Sequence, residues 1–333
     1  MHPRQKWIAH WREQNALSAQ QVPAALRQAG LPPSRAEWRL WIDRLLLWLG
    51  VAALLAGLIF FVAANWSGMG RLGKFALAEA ALVLCLAAYG WGARFRHGNA
   101  ALLAASLAVG ALLALIGQIY QTGADTFELF AVWAALILPW VLLARLPALW
   151  VVWLALLHVA YVFYMTTLGM PWWFSRKTEN IFAGIVLLDC CALLAWEWLA
   201  ARGWAWMQGR WVPRLLALTA GVAATLLAIY VIVDHREANG WYFLLYCAVL
   251  AGIYVGYRHV LPDLSMLAGG ALSLIVVVTT GLGRLLLENQ RGDFIGSLFL
   301  LGLFSMLATA GAAWWLRRVA RTLKDKSGSE VSP

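Results

Sequence analysis

Long apolar runs alternate with short polar stretches along almost the whole chain after residue 44. Each run has close to the roughly 20 residues that a helix needs to cross a bilayer. The pattern predicts an all-α, polytopic membrane bundle of about ten transmembrane helices over residues 45–316. The predicted helices are Leu46–Trp66, Leu72–Gly92, Ala100–Tyr120, Phe127–Ala144, Pro147–Thr167, Asn180–Ala200, Arg214–Val233, Trp241–Tyr257, Leu264–Leu286 and Asp293–Leu316.

Polar segments flank the predicted bundle at both ends. Residues 1–44 predict a cytoplasmic helical segment, because Ser18–Gln21 and Ser34–Glu37 have the spacing of capping boxes. This segment would lie in the lipid headgroups or dock a partner. Residues 317–333 predict a basic, disordered cytoplasmic tail. The first apolar run follows a long polar stretch and lacks a small-residue cleavage site, so we expect it to remain as a helix.

Composition and charge agree with a protein in the lipid bilayer. The 333 residues are 62% hydrophobic and 13% charged, whereas soluble domains have about 25% charged residues. The net charge is +10, which the membrane explains without a nucleic-acid partner. Of the 26 Lys and Arg residues, 19 fall on the side of the two termini. This excess predicts that both termini are cytoplasmic (N-in/C-in).

Motifs for chemistry are scarce. Cys85, Cys190, Cys191 and Cys247 lie within apolar runs and lack the spacing of a zinc site, so we predict free thiols. The sequence lacks the motifs of metalloproteases, α/β-hydrolases and nucleotide-binding loops. No catalytic residue, cofactor or metal ligand is therefore assigned.

Polar side chains gather at the predicted outer ends of the helices. An isolated carboxylate inside a bilayer is costly, so Glu79 in the second helix is expected to have polar company. Short loops make the first four helices neighbours, which predicts one outward-facing site. Its candidate ligand-binding residues are Asn65, Glu79, Gln118, Tyr120 and Asp125, with Lys74 and Arg284 as charge partners. The same groups could instead hold helices together.

Three further ionisable residues lie inside predicted helices. His158 is in the middle of the fifth helix, Asp189 is in the middle of the sixth, and Glu197 is near its inner end. A lone histidine on an apolar helix is typical of a hydrogen-bonded packing residue. A carboxylate at the depth of Asp189 needs a partner or a proton.

Several short motifs are shared with a known family. They are Phe61-Val62-Ala63-Ala64-Asn65-Trp66, the following Lys74, Gly117-Gln118-Ile119-Tyr120, Asp125, Trp133 and Pro139-Trp140. Over about residues 5–145 the chain resembles the DUF2157 family of bacterial predicted membrane proteins. The resemblance implies a multi-pass protein of the bacterial inner membrane and suggests membrane proteins of the DUF4401 or GDYXXLXY type as partners. It assigns no role to any residue.

Two functions fit these observations. In the first, the protein binds or transports a small solute or ion through the outward-facing polar pocket. In the second, it is a non-transporting envelope scaffold or sensor whose cytoplasmic N-terminal segment docks a partner. A transporter needs its polar groups to line one water-accessible cavity, whereas a scaffold would keep them paired and dry.

Reporter fusions test the predicted orientation. We expect a fusion at the C-terminus to report the cytoplasm and a fusion at Asp125 to report the opposite side, because the charge bias sets the topology. A cytoplasmic Asp125 would contradict both the topology and the outward-facing pocket.

Overall fold

The structure is a computed structural model. It describes residues 63–92, 98–120, 123–167, 178–233, 240–288 and 294–329, together with part of residues 38–60. The chain divides into two units, residues 1–74 and residues 75–333, which are described separately below.

Within the described residues, nine helices are long and apolar enough to cross a membrane. They are α1 (Arg71–Gly92), α2 (Gly98–Tyr120), α3 (Thr126–Ala144), α4 (Pro147–Thr167), α5 (Thr178–Ala201), α6 (Trp211–Val233), α7 (Gly240–Val255), α8 (Leu264–Glu288) and α9 (Phe294–Ser329). Short 3-10 turns occupy Trp66–Gly68 and Ala205–Met207, and a π turn extends α7 over Gly256–Val260. The described chain contains no strand, so the predicted polytopic all-α bundle is confirmed.

The N-terminal predictions fall largely outside the described residues. Both capping boxes lie outside them, and so does most of the first predicted helix. The residues of that helix that the structure does describe, such as Ala63–Asn65, are helical.

At the other end of the chain, the predicted disordered tail is helical over residues 317–329, because α9 continues to Ser329. Arg, Ala, Leu and Lys favour helices, and they dominate this stretch. Val319 is also buried against Tyr257, Met266 and Leu267. This packing fixes the first turns beyond the predicted end of the helix.

Helix α6 is the most enclosed of the nine described spans. It packs against α5, α7 and α8. Its buried face includes Ala220, Ala223, Ala224 and Ala228. Small side chains allow close approach between helices in a membrane, where association depends on packing rather than on exclusion from water.

Helices α2, α3 and α4 form a second packed region. The Trp133 indole donates a hydrogen bond to the carbonyl of Ser106 (2.8 Å), and the Trp153 indole donates to the carbonyl of Ala134 (3.1 Å). Trp133 lies directly over Gly110, where an added Cβ would overlap its ring. The lack of a side chain at Gly110 therefore allows α2 to accept this indole.

The contact between Gly110 and Trp133 predicts a stability effect. Gly110→Ala should displace the indole and lower the free energy of unfolding by about 1–3 kcal/mol, the usual cost of overpacking. Gly117→Ala is the matched control on the same helix, since nothing lies within 4 Å of its Cβ position. Thermal unfolding of both variants in detergent checks this, and equal melting temperatures would contradict the packing.

Candidate functional site

Two of the predicted site residues belong to the first unit. Asn65 is exposed and precedes the turn Trp66–Gly68, although its amide does not cap that turn. Lys74 is half-buried, and its Nζ lies 4.8 Å from the centre of the Trp66 ring. This is a cation–π contact, in which the face of the Trp66 indole attracts the Lys74 ammonium.

The other four ligand-binding candidates belong to the second unit. Glu79, Gln118 and Tyr120 are exposed, and Asp125 is half-buried. The rings of Tyr120 and Phe75 are 6.0 Å apart. Phe75 lies one turn before Glu79 on the same face of α1, so the end of α2 lies beside this face. Within the described chain, the carboxylates of Glu79 and Asp125 and the amide of Gln118 make no hydrogen bond or ion pair.

Arg284 has a main-chain partner. Its guanidinium donates to the carbonyl of Ile232, near the end of α6. Arg284 is half-buried, and this contact joins α8 to α6 at their predicted outer ends. The contact also satisfies a carbonyl near the end of α6, where the last turn has no acceptor bond of its own.

His158 and Asp189, which lie in the middle of their helices, are brought together. Nε2 of His158 on α4 lies 3.0 Å from Oδ1 of Asp189 on α5. The side chain of Asp189 is fully buried, and that of His158 is 20% exposed. On its other side the His158 ring contacts the Leu154 carbonyl through Nδ1 (2.7 Å). The sequence placed both residues at these positions but did not pair them.

Glu197 belongs to a cluster at the predicted inner end of the bundle, called the inner network here. Arg210 donates to both Glu197 oxygens (2.8 and 2.9 Å) and approaches Oδ2 of Asp263 (3.4 Å). Arg214 donates to the same Asp263 oxygen (3.0 Å), and the Tyr257 hydroxyl donates to Glu197 (3.0 Å). The five residues connect α5, α6, the π turn and the start of α8, and their formal charges cancel.

Asp263 is the N-cap of α8. Its Oδ1 accepts hydrogen bonds from the backbone N–H (3.1 Å) and the hydroxyl (2.5 Å) of Ser265. Burial alone would favour the neutral carboxyl, but the hydrogen bond from Ser265 and the guanidinium of Arg214 outweigh it. Together they hold the pKa of Asp263 below its ordinary value. Asp263 is therefore ionised at neutral pH.

Two cavities lie among the later helices. One of about 470 Å³ is bounded by α6, α7 and α8, with Arg214 and Ser265 among its lining residues. Farther along it, the hydroxyls of Thr225 and Ser273 are 2.6 Å apart, and Tyr246 lies 3.2 Å from Ser273. The other, of about 660 Å³, is bounded by α7, α8 and α9. Both linings are mainly apolar, which suits hydrocarbon better than a hydrated ion.

Sequence reasoning missed most members of the inner network. Arg210 and Asp263 lie in connections between helices, where charged residues are ordinary and no spacing marks them. One signal could have found them. The charge count places the inner end of α5 and the connections before α6 and α8 on one side of the membrane. Opposite charges on one side of the membrane could therefore have suggested these pairs, although none of the pairs was predicted.

Residues 9–150 match the family model of DUF2157, a predicted membrane protein. This confirms the resemblance seen in the sequence. The DUF2157 region contains Asn65, Lys74, Glu79, Gln118, Tyr120 and Asp125, whereas His158, Asp189 and the inner network follow it in the chain. Comparisons with curated proteins and with solved structures gave no match. The family match and the nine described spans identify a multi-pass membrane protein.

The inner network predicts a pH-dependent stability. Because its pKa is lowered by folding, Asp263 stabilises the native state above its unfolded pKa, and this stabilisation is lost as pH falls through the folded pKa. Asp263→Asn should lower the free energy of unfolding at neutral pH by about 1–3 kcal/mol, the range for hydrogen bonds to charged groups. It should also flatten the acid side of the stability profile.

Thermal unfolding in detergent from neutral to acidic pH measures both effects. Asp125→Asn is the matched control, because the Asp125 carboxylate makes no hydrogen bond within the described residues. Parallel profiles for the wild type and Asp263→Asn would show that the network does not contribute to pH-dependent stability.

Proposed function

We propose that this membrane protein binds a small solute or ion at the predicted outer ends of α1, α2 and α3, and that binding is a step in its transport. Glu79, Gln118, Tyr120 and Asp125 supply the polar groups. The observation that carries the proposal is the position of Glu79, an exposed carboxylate on an apolar helix.

The depth of Glu79 supports a binding role over a structural one. Glu79 is the ninth residue of α1, about 12 Å along the helix from its start. An ionised carboxylate at that depth is not stable against lipid and requires water, a ligand or another protein. Residues that hold helices together have partners across an interface. Glu79 has none within the described chain.

The chemistry of the groups assigned to the proposed site favours a cation. Glu79 and Asp125 supply negative charge, Gln118 supplies an amide oxygen, and the Tyr120 and Phe75 rings are adjacent to the Glu79 face. Carboxylates and aromatic faces together recognise organic ammonium ions. Within the described residues, no group of three or more acidic, His or Cys side chains could hold a metal ion. Among cations, this favours an organic ion as the ligand.

A scaffold or sensor in the bacterial inner membrane is the second candidate. Its support is α1 itself, because none of the residues in its membrane-spanning window is buried within the chain. In this case Glu79 would meet a polar group on another membrane protein. The two functions differ in what covers α1, so they can be separated with purified protein.

Binding of tetramethylammonium and tetraethylammonium to the purified full chain tests the leading proposal. We expect isothermal titration in detergent to show binding to the wild type and at least about a tenfold weaker affinity for Glu79→Gln. This corresponds to about 1.4 kcal/mol. Asp43→Asn is the matched control, because Asp43 is an exposed acid in the predicted cytoplasmic segment, on the side of the membrane opposite to the proposed site. Its affinity should stay close to that of the wild type.

Equal losses in the two variants would indicate a general effect of surface charge and contradict the site. No binding by the wild type, together with loss of a co-purifying membrane protein from Glu79→Gln, would favour the scaffold. A lower melting temperature of Glu79→Gln with unchanged affinity would instead assign Glu79 a structural role.

A further inference from the structure

We propose that His158 and Asp189 form a proton-binding site in the middle of the membrane. The pair holds one proton at neutral pH and exchanges it with water. This inference does not rest on the proposed cation site, because it concerns different helices, different residues and a different ligand.

The hydrogen on the His158 ring can be assigned from its contacts. Nδ1 lies 2.7 Å from the carbonyl oxygen of Leu154. A carbonyl oxygen can only accept, so Nδ1 carries a hydrogen. In the neutral ring Nε2 then carries only a lone pair, whereas in the imidazolium it carries a second N–H. It lies 3.0 Å from Oδ1 of Asp189, and a lone pair facing a carboxylate at this distance would be repulsive.

A single proton between the two groups removes this repulsion. It can sit on Nε2, giving imidazolium and carboxylate, or on Asp189, giving imidazole and carboxylic acid. Both arrangements have zero net charge. Without that proton, a fully buried carboxylate would remain beside a neutral ring in a low-dielectric region, which is strongly unfavourable.

The contact between His158 and Asp189 differs from a structural ion pair, because the hydrogen-bonding capacity of the carboxylate is not filled. The approach is short, but the angle departs from that of an aligned hydrogen bond, and neither Asp189 oxygen has another partner within the described chain. A carboxylate with a structural role usually accepts several aligned hydrogen bonds. Asp189 therefore depends on the proton of the pair for its stability.

Few other ionisable groups surround the pair. Asp189 is followed by the thiol of Cys190, and α4 carries the phenol of Tyr161 one turn from His158. The helices that pack against α4 and α5 carry a few more ionisable residues. Helix α3 has Glu128 in its first turn, and α6 has Arg214 near its start and Tyr230 near its end. Helix α7 has Tyr242, Tyr246 and Cys247. The described residues give Asp189 no cationic partner besides His158.

Polar groups continue from the pair toward the predicted outer side. The Tyr161 hydroxyl donates to the backbone carbonyl of Asn180 (2.7 Å), and the Tyr242 hydroxyl donates to the Asn180 side chain (2.5 Å). Glu179, which immediately precedes Asn180, is 1% exposed. Its Oε2 has no hydrogen-bond partner among the described residues. These groups lie between the outer end of α5 and His158, which is itself partly exposed. They mark the route for proton exchange.

The binding step is balanced by water. A hydronium ion on the outer side gives its proton to the pair, one N–H or O–H bond forms, and a water molecule remains. Release is the reverse step, with the proton transferred to water or hydroxide. No oxidant or other reactant is required.

Solid-state NMR of the full chain in liposomes tests the proposal. The protein carries ¹⁵N-labelled histidine and ¹³C-labelled aspartate, and the two signals are assigned with His158→Gln and Asp189→Asn. At neutral pH we expect either an imidazolium at His158 or a carboxylic acid at Asp189. That signal should be lost in a single step as the pH is raised, and its proton should exchange into D₂O.

His259→Gln is the matched control, because His259 is an exposed histidine in the π turn. It should leave the signals of the pair unchanged. In Asp189→Asn, the His158 ring should be neutral at a pH where the wild-type pair still holds its proton. If either variant fails to fold, the ¹⁵N–¹³C correlation between the two contacting groups assigns the wild-type signals instead, since Nε2 and Oδ1 lie 3.0 Å apart. The pH response and the exchange of those signals need no substitution.

Two results would overturn the proposal. A neutral imidazole beside a carboxylate at neutral pH would show that the pair holds no proton. A protonated pair that neither responds to pH nor exchanges into D₂O would be a sealed structural contact.

Discussion

The second half of the bundle depends on the hydrogen bonds and ion pairs that the guanidinium of Arg210 makes with two carboxylates. The guanidinium binds Glu197 on α5 through two hydrogen bonds and reaches Asp263 at the start of α8. Removing any one charge would leave its partners partly buried and unmatched, which costs more than the intact pairs contribute. The inner network therefore fixes which helix ends meet, while the alanine face of α6 sets how closely the helices approach.

Helix α5 carries three carboxylates at three depths, and each is accommodated differently. Glu197 lies among cations and a phenol, Asp189 lies beside a single imidazole, and Glu179 is buried in the first helical turn. The first arrangement is fully paired. At a helix N-terminus the backbone dipole favours a negative charge, which accounts for the position of Glu179. Within the described chain, the central carboxylate is the one whose partner is a histidine.

The long apolar runs of the chain were sufficient to predict the nine described spans, because each span must satisfy its backbone hydrogen bonds within itself. Position along the helices was also predictable, since His158 and Asp189 lie in the middle of α4 and α5 and Glu197 lies near the end of α5. Pairing was not predictable. Which face of α4 meets α5 depends on packing around residues such as Gly184, whose missing side chain makes room for Tyr161. Lys74 and Arg284 likewise bind an indole and a carbonyl, which carry no charge that a sequence count could match.

The members of the inner network are synthesised in a fixed order, so its ion pairs become possible one after another. Ribosomes make Glu197, Arg210 and Arg214 well before Asp263. The hairpin of α5 and α6 can enter the bilayer with Glu197 and Arg210 already neutralising each other. Arg214 then lacks its carboxylate until the start of α8 emerges about fifty residues later. The arrival of Asp263 is thus the step that completes the charge balance of the inner network, and it requires the start of α8 to reach α5 and α6.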